Sequence, residues 1–514
     1  MMRLLLSALT LTVAACASAS ARSSAAASGS TSAAGVAPSP IAPHVDDLAR
    51  LRLSIDSAVN APEFANAHWG ILIVDAATRD TLYSRNAEKL FLPASNMKVI
   101  TGATALAQLG PDYQYRTTFA ARGPVRSGVL RGDLVVIGRG DPTVSDHMRK
   151  DAMTVMRDIA DSLAAKGITR IAGRLVSAGD AFPGPVLGFG WDWDDLDYGY
   201  GAGVDELLFN EGFTQVVVHS GSRIGKPVTV TIRPTATTPP VHITAITVTK
   251  PAAGDTTKVT KIVARYDSLT GGVLVEGTIA VGDSTVEEVA HRVPAQAYLD
   301  ALREALTSKS IRVGGARSDT SARVDTLFTL VSPPLRDILP ALEKPSQNQI
   351  AEVLLKTLAL EKTGVGTADS GRIVIERQLS SWGARDGGYV IRDGSGLSRH
   401  DYLSPETIVR VLDTIRADSA FKVFYDALPI AGVDGTIENR MKGTPAEGNV
   451  HAKTGYVDKA RSLSGYATSV DGHLIIFSAL ANNWTVPVRQ VEAVQNMIAA
   501  RLAGMRTAVS TAQR

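Results

Sequence analysis

The sequence predicts an α/β (α+β) domain whose sheet is assembled from the two ends of the chain and which is interrupted by mostly β inserted domains. Hairpin patterns lie near both ends, with helical patterns between them. The long middle stretch carries short β-rich runs separated by turn signals. At 514 residues the chain is also longer than one hydrophobic core usually serves, so two or three domains are expected.

With 45% hydrophobic and 20% charged residues, the composition is that of a globular protein. The net charge of +2 comes from 53 basic and 51 acidic residues mixed along the chain. Without a long single-sign run, nucleic acid is not an expected partner. Beyond the N-terminus no stretch is apolar for long enough to cross a bilayer, so the body should be soluble.

Residues 1–16 read as an export signal, with Arg3 as the basic region and Leu4 to Ala15 as the apolar segment. Val13-Ala14-Ala15-Cys16 resembles the lipobox of bacterial lipoproteins, which implies lipidation of Cys16. A plain signal cut after Ala17-Ser18-Ala19 would discard Cys16 instead. Cys16 is the only cysteine, and no other use for it is evident, which favours lipidation and rules out an internal disulfide. On either reading the protein is exported. With the anchor it is periplasmic and touches a membrane through lipid only, and Ser18 points to the outer membrane. Residues 17–45, mostly Ala, Ser, Gly and Pro, cannot build a core and read as a disordered linker.

The end-assembled domain is expected over 46–124 and 323–505. Trp69 to Val74 and Thr81 to Ser84 form its first hairpin around Thr78-Arg79-Asp80. Leu463 to Ser469 and His473 to Ala481 form its last, around Val470-Asp471-Gly472. A helix from Val488 to Leu502, with Pro487 at its start, closes the chain. Residues 125–322 form the insertion, with runs such as Leu134 to Ile137, Val216 to Val218, Val228 to Ile232 and Lys261 to Ala264. Residues 205–266 are expected to be a nested module.

Three short motifs carry the chemistry. Ser95-Asn96-Met97-Lys98 opens a helical pattern that runs to Gly110, and its i,i+3 spacing lets the Lys98 amine reach the Ser95 hydroxyl. A desolvated amine of lowered pKa can take that proton. Composition alone predicts about one such SxxK match, and Ser419 to Lys422 is a second. Ser346-Gln347-Asn348 starts another helix, where Ser346 would also serve as a structural N-cap. Ser84-Arg85-Asn86 has the same form. Lys453-Thr454-Gly455, followed by Tyr456, lies on a strand before the last hairpin. There Lys and Thr can hold a carboxylate, and Gly allows close backbone approach. A second copy, Lys362-Thr363-Gly364, reads as a helix end.

Taken in order, SxxK, SxN and KTG form a known catalytic set. With them the chain resembles penicillin-binding proteins and serine β-lactamases. About 250 residues separate Ser95 from Ser346, and this long insertion narrows the likeness. The match is to class C low-molecular-mass penicillin-binding proteins, the D-alanyl-D-alanine carboxypeptidase/endopeptidase family. Gly132 to Thr143, Asp393-Gly394-Ser395-Gly396-Leu397-Ser398 and Leu428 to Thr436 also look like that family. Tyr456 departs from it, standing where a small residue is usual. Trp191-Asp192-Trp193-Asp194-Asp195-Leu196-Asp197-Tyr198 could touch glycan or a cationic stem peptide, or could pack locally.

The resemblance implies a penicillin-binding/β-lactamase-like transpeptidase domain that hydrolyses peptidoglycan stem peptides through an acyl enzyme and is inhibited by β-lactams. Ser95 would be the nucleophile and Lys98 its base. Ser346, hydrogen-bonded to Lys453, would protonate the leaving D-Ala, and Asn348 would bind the substrate backbone and steady Lys98. Lys453 and Thr454 would hold the terminal carboxylate, with Gly455 and Tyr456 completing the substrate site. Such a hydrolase needs no metal or organic cofactor, and no His/Cys cluster has ligand spacing. Two rival readings are a β-lactamase or esterase on the same scaffold, which needs fast deacylation, and a non-catalytic wall-binding lipoprotein.

Overall fold

Five antiparallel strands form the central sheet of the computed structural model, which describes residues 47–234, 240–252, 254–267, 272–316 and 323–507. The expected export signal, Cys16 and the linker through residue 45 lie outside the described residues. Across the sheet the order is Thr81–Arg85, His68–Asp75, Leu474–Asn482, Ala460–Thr468 and His451–Val457. Both predicted hairpins are present, and His68–Asp75 pairs with Leu474–Asn482 from His68 opposite Asn482 to Asp75 opposite Ile475. The two chain ends therefore do share one sheet.

Side-chain alternation divides the sheet between two cores. Ile71, Ile73, Ile475, Phe477 and Ala479 pack with Leu51 and Ile55 of the helix Asp47–Val59, and with Val491 and Ile498 of the closing helix Val488–Gly504. Leu72, Val74, Ile476 and Leu480 face the other way, onto a helical layer. That layer includes Met97–Leu109, Asn348–Thr363, Ala368–Ser381 and Pro405–Ile415. Burying apolar side chains at about 25 cal/mol per Å2 on both faces is what fixes the strand register.

The insertion contains more helix than its β-rich runs suggest. The helices Ala152–Ala165 and Pro294–Ser308 bury Met156, Ile159, Leu302 and Leu306 against Phe119, Leu134 and Val136. The sheet they cover takes in Val324–Val331, Arg116–Arg122, Asp133–Ile137 and Leu175–Ser177. Arg116–Arg122 and Val324–Val331, which flank residues 125–322, pair with each other in this sheet. Strands within and beyond residues 205–266 pair with one another. Lys261–Asp267 pairs with Gly272–Ala280, and Ser284–Ala290 pairs with Phe213–His219, around a small core that includes Val216, Val218, Val275 and Val289. Among the described residues no helix is long and apolar enough to cross a membrane.

Candidate active site

Ser95 sits in a single 3-10 turn, Ala94–Asn96, that leads into the helix Met97–Leu109. Two hydrogen bonds tie this turn to the sheet. Ser462 Oγ donates to Pro93 O at 2.7 Å, and Asn96 Nδ2 donates to Lys453 O at 2.9 Å. The Ser95 side chain stays partly accessible, whereas Lys98, one turn further along, is fully buried. Lys98 Nζ lies 2.9 Å from Ser95 Oγ, 2.6 Å from Asn348 Oδ1 and 2.8 Å from Ser395 O.

Asn348 is the first residue of the helix Asn348–Thr363, and its Nδ2 donates to Tyr200 O at 2.8 Å. Ser346 does not cap that helix. The cap is Gln347, whose side-chain oxygen accepts from Gln349 N at 2.8 Å, while Ser346 precedes it with φ 67°. A residue in this left-handed conformation turns the chain sharply before the helix, so its hydroxyl cannot take the capping position. The expected Ser346–Lys453 hydrogen bond is absent among the described residues, where Lys453 Nζ donates to Thr454 O at 3.1 Å.

Lys453, Thr454, Gly455 and Tyr456 lie on His451–Val457, the edge strand of the central sheet. Gly455 has no room for a side chain. A Cβ there would fall 2.1 Å from Ser462 Oγ, 2.6 Å from Pro93 O and 2.9 Å from Ser95 N. Glycine is thus what lets the edge strand lie against the serine turn. Thr454 Oγ1 donates to Thr436 Oγ1 at 2.7 Å, and Tyr456, 53% exposed, lies under the Arg461 guanidinium. Gly396 makes a second close approach, with φ 80° and a notional Cβ 1.9 Å from Ala94 O. It brings the Asp393–Ser398 loop, and with it Ser395 O, to Lys98.

Burial dominates the electrostatics. Desolvation lowers the Lys98 amine to about 8, against the opposing pull of Asp393, Glu343 and Glu352. Lys453 is also lowered, first by burial and then by the charge of Lys98, while Glu343 pulls it back. Burial raises Glu343 and Glu352. Glu352 accepts from the backbone N–H groups of Gly394 and Ser395 at 3.0 and 2.8 Å, which holds the loop beneath Lys98.

Ser395, Glu352, Asp393, Glu343 and Tyr200 are the contributors that motif reading missed. The Asp393-to-Ser398 stretch was visible only as a likeness, and nothing local marks a helix-end glutamate. The duplicate motifs lie elsewhere: Lys362-Thr363-Gly364 ends its helix with Gly364 at φ 81°, Ser84 to Asn86 ends a strand, and Lys422 pairs with Asp426. The acidic aromatic stretch packs in part, with Trp191 Nε1 donating to Asp393 Oδ2 at 2.9 Å and Asp192 pairing with Arg399, while Trp193 is 84% exposed. No group of metal-ligating side chains occurs among the described residues.

The sheet, its helical layer and the serine turn define a penicillin-binding/β-lactamase-like protein. The chain belongs to the D-Ala-D-Ala carboxypeptidase 3 (S13) family, which matches residues 51–505. It is 34% identical over 474 residues to a D-alanyl-D-alanine carboxypeptidase of an Actinomadura strain, covering 89% of this chain and 85% of that protein. It is 26% identical to the D-alanyl-D-alanine carboxypeptidase DacB of Haemophilus influenzae, covering 84% of this chain and 88% of the relative. The fold is similar to the crystal structure of penicillin binding protein 4 from Haemophilus influenzae, with TM-score 0.73 at 22% identity over 89% of this chain and 99% of the other. A structure of that protein with a β-lactam matches with TM-score 0.68 at 22% identity, over 89% of this chain and 100% of the other.

Proposed function

We propose that the protein is a serine-type D-Ala-D-Ala carboxypeptidase/endopeptidase acting on peptidoglycan stem peptides, and that β-lactams acylate it. The observation that carries this reading is the surroundings of Lys98 Nζ. A neutral amine has two N–H groups and one lone pair; with Asn348 Oδ1 and Ser395 O as acceptors, the lone pair is left for the Ser95 hydroxyl. Burial favours that neutral form.

Ser95 Oγ attacks the carbonyl carbon of the penultimate D-Ala, and its proton passes to Lys98 Nζ. The oxyanion is received by the backbone N–H groups of Ser95 and Tyr456. Ala452 N donates outside the sheet to Pro429 O, and strand alternation turns the Tyr456 N–H to that same open edge. Lys453 and Thr454 hold the terminal carboxylate. As the C–N bond breaks, the proton taken by Lys98 is relayed through the hydroxyl of Ser346, which makes no hydrogen bond among the described residues, to the leaving D-Ala nitrogen. Lys98 thus returns to its neutral form, and Ser346 keeps its own complement of one proton. Water then attacks the ester carbon, takes the place of Ser95 Oγ and releases the shortened peptide.

The test is incubation with defined monomeric and cross-linked muropeptides, with products read by mass. Release of D-Ala by the native enzyme and its loss in Ser95→Ala are expected, with a drop of at least ~1,000-fold. Rapid turnover of a fluorescent penicillin, rather than a long-lived label, would overturn the peptidase reading in favour of a β-lactamase. Unchanged D-Ala release from Ser95→Ala would remove the proposed nucleophile. Export and lipid anchoring through Cys16 belong to the same proposal, supported by the leader sequence. Metabolic labelling with a fatty acid should mark the native protein and not Cys16→Ser.

A further inference from the structure

Packed against the serine helix lies a buried carboxylate that the proposed reaction does not use. Glu343 ends the helix Leu335–Glu343 and is fully buried, and neither carboxylate oxygen has a hydrogen-bond partner among the described residues. Its Oε1 rests against Gly102, one turn beyond Lys98 on the serine helix, where a Cβ would stand 2.7 Å from it. The cations acting on it are Lys98 from the serine helix and Lys453 from the edge strand. Asp393 and Glu352 act on Lys98, and Arg461 acts on Lys453. Lys344, next in sequence, turns away to Asp434.

We propose that Glu343 is the buried counter-charge shared by Lys98 and Lys453, a positioning residue that fixes how many protons the two amines hold together. An ionised carboxylate without hydrogen bonds is costly to bury unless a cation offsets it. Two desolvated amines that repel each other are both driven toward neutrality. One carboxylate near both restores one proton to the pair. This rests on the proposed mechanism, which needs a neutral Lys98 to take the serine proton and a charged Lys453 to hold the carboxylate. Because the three groups titrate together, the effect belongs to the site rather than to one amine.

The test is the rate of Ser95 acylation by a fluorescent penicillin across pH, for the native enzyme and for Glu343→Gln, Glu343→Met and Glu343→Asp. Removing the negative charge should move both limbs of the profile toward acid by about one pH unit in Glu343→Gln and Glu343→Met. Glu343→Asp should keep the native profile to within a few tenths of a unit. Met needs no hydrogen bond, so it covers the case in which a buried amide disrupts folding. A uniform fall in rate with unmoved limbs would overturn the proposal, and so would equal shifts in all three variants or failure of both neutral variants to fold. If the native enzyme itself is not acylated, the proposed function fails; native acylation with unmoved limbs sinks only the role of Glu343.

Discussion

Gly455 lies so close to the serine turn that a methyl group on its Cα would stand 2.9 Å from the Ser95 backbone nitrogen. The same methyl would meet Pro93 O and Ser462 Oγ, the two atoms whose hydrogen bond pins the turn to the sheet. Gly455→Ala should therefore push the edge strand away from Ser95. A stability loss of about 1–3 kcal/mol is expected, the usual range for overpacking. Acylation by a penicillin should fall at least ~100-fold. Thermal unfolding together with the acylation rate measures both, and a native rate would refute the proposed strand–serine coupling.

Asn348 links two partners that never meet directly, accepting from Lys98 Nζ and donating to Tyr200 O. Asn348→Ala takes one acceptor from the buried amine, which keeps Ser95 and Ser395, and one donor from Tyr200 O, which keeps Gln349 Nε2 at 3.3 Å. Acylation should drop about 10- to 100-fold, and stability should fall by about 1–3 kcal/mol, the penalty for unsatisfied buried groups. Separating kcat from KM with a peptide substrate checks the assignment, since loss of base positioning lowers kcat first.

Burial lowers the Lys98 amine to about 8, and in the proposed mechanism this group would govern the acid limb of acylation. Acylation should rise with pH toward about 8 and fall about tenfold per pH unit well below it. The same shift has a stability consequence of definite sign. The folded form gives up the proton near about 8 and the unfolded chain only near 10.5, so the unfolded chain binds more protons between those values. This group's contribution to stability must then rise with pH across that window. Comparing the pH dependence of denaturant midpoints for the native protein and Lys98→Met isolates it.

Gly396 at φ 80° places its backbone where a Cβ would fall 1.9 Å from Ala94 O. Gly396→Ala combines a disfavoured left-handed residue with a clash, and a cost of about 2–4 kcal/mol is expected. Because the loop also carries Ser395 O, acylation should fall as well. Calorimetry and penicillin labelling give the two readings, and a stable, fully active variant would contradict the geometry.

What could be read from the chain alone was local. Ser95 and Lys98 are one helical turn apart, so their spacing already implies contact. The terminal hairpins show period-two patterning with turn residues between, so their pairing was visible before any fold. The conformation of Ser346, with φ 67°, could not be read from its motif, and it moves the capping position to Gln347. The pairing of Arg116–Arg122 with Val324–Val331 has no local signal, because about 200 residues of chain lie between the two strands. Glu343, Glu352 and Ser395 O reach Lys98 from three separate segments. No spacing rule can join groups that only tertiary packing brings together.

The hydrogen bond from Ser462 to Pro93 spans 369 residues of chain. Synthesis from the N-terminus makes Ser95 early and the strands that pack against its turn almost last. Until the edge strand emerges, the helix start at Asn348 and the Asp393–Ser398 loop can reach the serine turn but Lys453 to Tyr456 cannot, and an interrupted product would lack that side of the site. The surroundings of Ser95 therefore depend on nearly the full span of the chain, and a deletion anywhere in the last hairpin should be felt at residue 95.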